Sequence, residues 1–218
     1  MPAVLPEDLA QFDWVARSNR PLIVCDVDEV VLEFVTPFIA YLENKGLELR
    51  PSSFRLHGNV YRRDDGTPVS DRDISASIDA FFVEQHDWQT PVASAAETLA
   101  ALKHHADIVF LTAMPPRHFA VRRTLLDAHD MSYPMIATED EKGTVLHLIH
   151  GDRDTKVVFI DDIFHNLHSV RDRLPNALLI NLMANDTFRA LAPHPGEKVA
   201  MAKDWNETRD LILEFLEN

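Results

Sequence analysis

Two hydrophobic rhythms divide the chain. Leu22-Ile23-Val24-Cys25, Ile108-Val109-Phe110-Leu111, Val157-Val158-Phe159-Ile160 and Ala177-Leu178-Leu179-Ile180-Asn181-Leu182 are near-continuous apolar runs rich in branched side chains. They are too short for independent helices and predict strands buried on both faces, as in a parallel sheet. Met135-Ile136-Ala137 and Val199-Ala200-Met201 add two shorter candidates. Between these runs the apolar positions take a helical period. Phe119, Arg122, Leu125 and Leu126 share one face of a helix over 116–129, and Val145, Leu148 and Ile149 face inward from 142–150. Leu211, Ile212, Phe215 and Leu216 mark a terminal helix capped by Asp204 and Glu207. Ser94 and Glu97 form another capping box, opening a helix to about His105, and Pro6 to Ala16 predict a helical lead-in. Strands alternating with helices give a three-layer α/β domain with a parallel sheet.

That alternation lapses between Leu47 and about Gln89. Before it, Thr36 is placed to cap a helix whose apolar side is Phe38, Ile39, Tyr41 and Leu42 and whose stop is Gly46. Arg62 to Pro68 carry an Asp-Gly turn suited to a hairpin, with Arg62 and Arg63 expected in solvent. Ser70 caps a second helix, with Ile74, Ile78, Phe81 and Phe82 at i, i+4, i+7 and i+8. This aromatic stripe is expected to pack, with Phe81, Phe82 or Trp88 reaching a ligand if the layer covers a site. The predicted organisation is a core of residues 1–32 and 91–218 with a small, mainly helical unit, 33–90, inserted.

Composition narrows the function. With 46% hydrophobic and 26% charged residues over 218 positions, the chain reads as an ordinary globular protein with ample core. Lys and Arg number 21 against 35 Asp and Glu, a net charge of −14, which disfavours a nucleic-acid polymer as partner. No apolar run spans a membrane, and the amino terminus lacks a basic-then-apolar leader, so a cytoplasmic location is expected. The single cysteine, Cys25, excludes an intrachain disulfide and reads as a packing residue.

The chemistry gathers at strand ends. Asp26 and Asp28 follow the first strand, Thr112 ends the second, Asp161 and Asp162 end a later one, and Lys142 opens the helix before it. In a parallel sheet these converge on one edge. Paired acids at such an edge call for a cation or a shared proton, and acids with a lysine and a hydroxyl suit phosphoryl transfer to a carboxylate. In this order the residues resemble the four motifs of the haloacid dehalogenase superfamily, specifically its aspartate-nucleophile phosphatases: Asp26-Val27-Asp28, Thr112, Lys142, and Phe159 to Asn166.

The resemblance implies a Rossmann-like core and a cap built from the insertion. It implies Asp26 as nucleophile, Asp28 as general acid then base, and Thr112 with the N–H groups of Val27, Asp28 and Ala113 on the phosphoryl oxygens. It also implies Mg²⁺ held by Asp26, the Asp28 carbonyl and Asp162, with Asp161 positioning water and Lys142. The implied substrate is a small phosphomonoester, a nucleoside monophosphate or a sugar phosphate.

Two positions depart from the pattern. Glu29 stands where glycine is frequent, reading either as a solvated turn residue or as a repulsive neighbour to substrate. Asn166 stands where a second acid is frequent and can hold water or orient a carboxylate. Taken singly, each of these residues has a plainer role: Thr112 a strand end, Asp161 and Asp162 helix caps, Lys142 a solvated charge. Arg117 and His118 either look into the site or only begin a helix, His165 reads as a surface group, and Lys156, the rival lysine, sits at the wrong end of its strand. A dehalogenase would not need Asp28, a receiver domain would be about half this length, and a nucleotide-binding module would need a glycine-rich loop that six glycines do not supply. A non-catalytic phosphate-binding protein remains the alternative.

Overall fold

The computed structural model describes residues 6–218, so the first five residues, on which the reading of a leader bears, lie outside it. A 3-10 turn, Pro6–Phe12, and α1 (Asp13–Arg17) lead into β1 (Leu22–Cys25). Between β1 and the return of the strand-helix alternation, where an insertion is expected, lie α2 (Val35–Asn44), β2 (Leu47–Leu49), β3 (Val60–Arg62) and α3 (Asp71–Trp88). Then α4 (Ala95–Leu102), β4 (Asp107–Thr112), α5 (Phe119–Ala128), β5 (Met135–Ala137), α6 (Lys142–His150) and β6 (Val157–Asp161) follow. The chain closes with α7 (Phe164–Arg173), β7 (Leu178–Leu182), α8 (Asp186–Leu191), β8 (Ala200–Ala202) and α9 (Trp205–Glu217).

Six strands make one parallel sheet in the order β5-β4-β1-β6-β7-β8. Successive side chains of β1 point to opposite faces. Ile23 and Cys25 pack with Leu99, Leu125 and Ile212 of α4, α5 and α9, whereas Leu22 and Val24 pack with Val145, Ile149 and Leu167 of α6 and α7. Both faces of the sheet are thus covered, which is why its strands read as unbroken apolar runs. Cys25 is buried among these side chains, and burial followed by the nearby Asp26 charge pushes its thiol well above the ordinary range, as expected of a packing residue. No described helix is long and apolar enough to cross a membrane.

A third apolar cluster joins the insertion to the carboxyl end of the sheet. Phe34, Phe38, Tyr41, Phe81 and Phe82 pack with Met114, just past β4, and Met183, just past β7. Phe81 stands edge-on to Phe34, Phe38 and Tyr41, and Trp88 packs on Tyr41, so most of the aromatic stripe is core. Ser70 Oγ accepts from Asp73 N at 3.2 Å, as its position predicts. The Asp-Gly turn closes between Arg62 and Thr67 beside an isolated bridge of Tyr61 to Pro68, while β2 pairs antiparallel with β3. At the other end of the chain, Asp204 Oδ1 accepts from Glu207 N.

Four local expectations change. Ser94 adopts φ +63° and makes no side-chain cap bond, because a left-handed residue aims its hydroxyl away from the first turn of α4, which ends at Leu102. Leu148 and Phe119 lie on exposed surface, and Leu146 takes the inward place on α6. Thr36 lies inside the first turn of α2 and does not cap it.

The cap of α2 is Glu29. It is 2% exposed, at φ +64°, a conformation glycine adopts at less cost. Its Oε1 accepts from Phe34 N (2.9 Å) and Val35 N (2.5 Å), and Oε2 accepts from Asn185 N (2.8 Å). Glu29 is therefore neither solvated nor aimed at substrate. It satisfies the first turn of α2 and ties that turn to the start of α8. Glu29→Ala strands two buried N–H groups and a half-buried third and is expected to cost about 2–4 kcal/mol. A urea midpoint within error of wild type would refute that assignment.

Candidate active site

β1 lies where the chain passes from one half of the sheet to the other, with β4 and β5 on one side and β6, β7 and β8 on the other. The crevice beyond the carboxyl ends at such a reversal is the natural ligand site of an open α/β sheet. Asp26, Thr112 and Asp161 leave adjacent strands at this point.

Lys142 completes the group from α6. It is 1% exposed; Nζ donates to Asp161 Oδ2 at 2.6 Å and lies 2.7 Å from Asp26 Oδ1. The second contact is a close ion pair, and Lys142 is the one described side chain that reaches Asp26 Oδ1, which is otherwise a buried acceptor without a partner. The neighbouring Gly143 sets this placement. Its N–H donates to Ser169 Oγ (3.0 Å), and a Cβ there would meet Ser169 O at 2.1 Å, so only glycine lets α6 approach α7 this closely.

Asp161 is fully committed. Oδ1 accepts from Ile163 N and from Asn166 Nδ2, at 2.8 and 3.0 Å, and Asn181 donates to the carbonyls of both Asp161 and Asp162. Asn166, expected to contact substrate, thus turns its amide onto Asp161 while also lining the pocket. Asp26, Asp161 and Asp162 each offer an oxygen within 4.8 Å of the others.

Three buried carboxylates here face one ammonium. Burial pushes the Asp26 carboxyl up to about 7, opposed by Lys142 and reinforced by Asp161 and Asp28. Asp162 is raised well above the carboxylate range, by burial first and then by Asp161, Asp26 and Glu29. For Lys142, burial alone would lower its pKa; Asp161 and Asp26 outweigh it and hold the ammonium above its ordinary value. The cluster is short of positive charge.

Thr112 Oγ1 accepts from Met114 N at 3.1 Å, bending the loop after β4 and leaving its own proton to donate. The N–H groups of Val27, Asp28 and Ala113 find no acceptor among the described residues.

Asp28 is half-buried and held by a residue whose part in the site the sequence reading missed. Arg122, 0% exposed on α5, donates from Nη1 to Asp28 Oδ2 (3.1 Å) and from Nη2 to Asp28 Oδ1 (2.9 Å). Its remaining N–H groups reach Gln85 Oε1 and Gln89 Oε1, while Gln89 Nε2 also donates to Asp28 Oδ1 (2.8 Å). Phe82 lies under the guanidinium. A sequence signal existed: an arginine on the apolar face of a helix is buried, and buried arginine needs an acid.

Other candidates fall outside. Arg117 and His118 both contact Asp79 of α3, and neither lines the pocket. His165 is exposed, as is Arg63, which pairs with Glu43, and Lys156 donates to the carbonyls of Phe215 and Leu216. Above the acids opens a cavity of about 300 Å³, walled by the insertion on one side and by Met114, Met183 and Phe188 on the other.

No protein-family model and no curated protein matches the sequence. Solved structures do resemble it. A haloacid dehalogenase-like family hydrolase from Streptococcus pneumoniae superposes with a TM-score of 0.59 at 10% identity over 90% of this chain and 98% of its own. A haloacid dehalogenase-like family hydrolase from Xanthomonas campestris gives 0.57 at 12% over 91% and 96%. A predicted phosphoglycolate phosphatase from Haemophilus somnus gives 0.57 at 11% over 89% and 99%. The chain has the haloacid dehalogenase-like fold.

Arg122→Met removes the partner of Asp28 and of two buried glutamine carbonyls. It is expected to cost about 2–4 kcal/mol of unfolding free energy, less than a fully buried pair because Asp28 is reached by solvent. In a double-mutant cycle with Asp28→Asn, part of this is recovered; strict additivity would mean that the two side chains do not depend on each other.

Proposed function

We propose that this protein is a Mg²⁺-dependent phosphomonoester hydrolase that works through an aspartyl-phosphate on Asp26, with residues 33–90 as a cap over the site. The observation that carries the reading is the Lys142 ammonium bridging Asp26 and Asp161 beside Asp162, Thr112 and three N–H groups free of protein acceptors. Phosphatases among the proteins sharing the fold support it.

The residues fit a hard divalent cation. Three carboxylate oxygens within 4.8 Å, two of them on acids pushed up by burial and mutual repulsion, form an oxygen-rich set in want of positive charge. Asp26, Asp162 and the Asp28 carbonyl would hold Mg²⁺, with Asp161 behind them fixed by Lys142 and Asn166. When bound, the ion would neutralise charge between the nucleophile and the phosphoryl group.

The chain's own groups divide the work. A carboxylate oxygen of Asp26 forms a bond to phosphorus as the bond from phosphorus to the leaving oxygen breaks, and Asp28 delivers a proton to that oxygen. Water then attacks phosphorus and its proton returns to Asp28. The Asp26–phosphorus bond breaks and phosphate leaves. Lys142 keeps Asp26 in place, while Thr112 and the N–H groups of Val27, Asp28 and Ala113 hold the phosphoryl oxygens where charge accumulates. Arg122 and Gln89 fix the position of Asp28 through three hydrogen bonds to its carboxylate.

The test is phosphate release from 4-nitrophenyl phosphate. EDTA abolishes it and Mg²⁺ restores it, and Asp26→Asn folds but loses at least about a thousandfold in kcat. Turnover by Asp26→Asn within tenfold of wild type would sink the nucleophile, and phosphate release undiminished by EDTA would sink the metal.

A further inference from the structure

The cavity over the acids is built unevenly. Its floor carries the polar machinery already described, and its walls are Phe34, Phe54, Phe82 and Phe188 with Met114 and Met183. The polar side chains on the lining are nearly all committed. Both Glu29 oxygens accept backbone N–H groups, Asn166 turns its amide onto Asp161, and both Asp28 oxygens accept from Arg122. Of the polar side chains above that floor, Arg55, exposed at the rim, is the one that makes no side-chain hydrogen bond or ion pair among the described residues, whereas on the floor the Asp162 carboxylate makes none either.

The wall that carries Phe54, Arg55 and Leu56 is preformed. It is the loop between β2 and β3, stitched from inside by buried Asn59, whose Nδ2 donates to Ser53 Oγ (3.0 Å) and Arg55 O (2.7 Å) and whose Oδ1 accepts from Ser52 Oγ (2.7 Å). Phe54 in turn meets Phe188 across the cavity, ring centroids 6.4 Å apart. A ligand entering here loses water from its leaving group and meets aromatic and thioether surface.

We propose that the leaving group of the substrate is apolar and flat, an alcohol bearing an aromatic ring, and not a sugar or a nucleoside. This rests on the phosphatase reading above and names its substrate class. A sugar would strip water from several hydroxyls, and a base would strip its polar edge, while the walls above the acids and Thr112 offer only the rim guanidinium of Arg55 as an uncommitted side-chain group to answer them. A ring of that kind fills the same space with dispersion contacts and no unmet hydrogen bonds. A cavity of about 300 Å³ holds a phosphate and one such ring.

The test compares esters whose leaving alcohols are equally basic, so that only recognition differs. Wild-type kcat/KM with Mg²⁺ is expected to be about ten- to a hundredfold higher for 2-phenylethyl phosphate than for glucose 6-phosphate, the range of burying one ring. Phe54→Ala, at the half-exposed loop, should lower kcat/KM for 2-phenylethyl phosphate by a larger factor than for methyl phosphate. Glucose 6-phosphate or a nucleoside monophosphate turned over as well as the phenylethyl ester overturns the proposal and leaves the phosphatase reading intact. Calorimetric titration of Asp26→Asn with the same esters decides the matter without turnover. Tighter binding of the phenylethyl ester supports the apolar pocket even if wild type releases no phosphate at all, an outcome that would defeat the phosphatase reading alone. Equal or weaker binding than glucose 6-phosphate overturns it.

Discussion

One ammonium group stands between two buried carboxylates, and the geometry of the sheet's carboxyl end follows from it. Lys142 Nζ cannot leave Asp26 and Asp161 without stranding like charges in a medium that does not screen them. Asp26 comes from the central strand, Asp161 from its neighbour and Lys142 from the helix before that neighbour. The three ends are therefore tied by charge where backbone pairing has stopped. The tie holds only if α6 sits close to α7, and Gly143 against the Ser169 carbonyl is what permits that approach.

The other buried charges extend the same logic outward. Glu29 spends both oxygens on backbone N–H groups and thereby fixes where the insertion departs from β1. Arg122 spends its guanidinium on Asp28 and on two glutamines at the end of α3, so the acid beside the nucleophile and the last turn of the insertion share one partner. Each buried ion is matched by several directed hydrogen bonds, the condition under which burial of charge is tolerated. Only at Asp26 and Asp162 is the matching incomplete, and that is where chemistry is proposed.

The sheet was legible in the sequence because its strands are covered on both faces and end abruptly in acids; neither feature needs knowledge of distant contacts. The same holds for Ser70 and Asp204, whose partners lie three residues on. Glu29 was not legible. Its role requires a left-handed backbone and an acceptor geometry reaching Asn185, 156 positions away, and nothing local distinguishes it from a solvated turn residue. Thr36 and Ser94 misled for the complementary reason: a hydroxyl near a helix start is a cap only if the backbone there is extended. Arg122 was visible on its apolar helix face, but its partner was fixed by packing of α5 against the loop after β1. The acids, lysine and threonine were found because strand ends in a parallel sheet converge whatever lies between them.

The two walls of the cavity are fastened in different ways. The carboxyl end of α3 is held through Gln85 and Gln89 to Arg122, and its middle through Asp79 to Arg117 and His118, on the side of α5. Swinging that helix outward would pull a guanidinium from buried carbonyls and break the aromatic cluster at once, whereas the segment between β2 and β3 meets the far wall chiefly through Phe54 on Phe188. The rim at Arg55 is thus held to the far wall by fewer groups than hold α3 to α5. That loop gains its own rigidity from within, because the buried Asn59 amide binds Ser53 and the Arg55 carbonyl, so the wall least fastened to its neighbours is the one most stitched to itself.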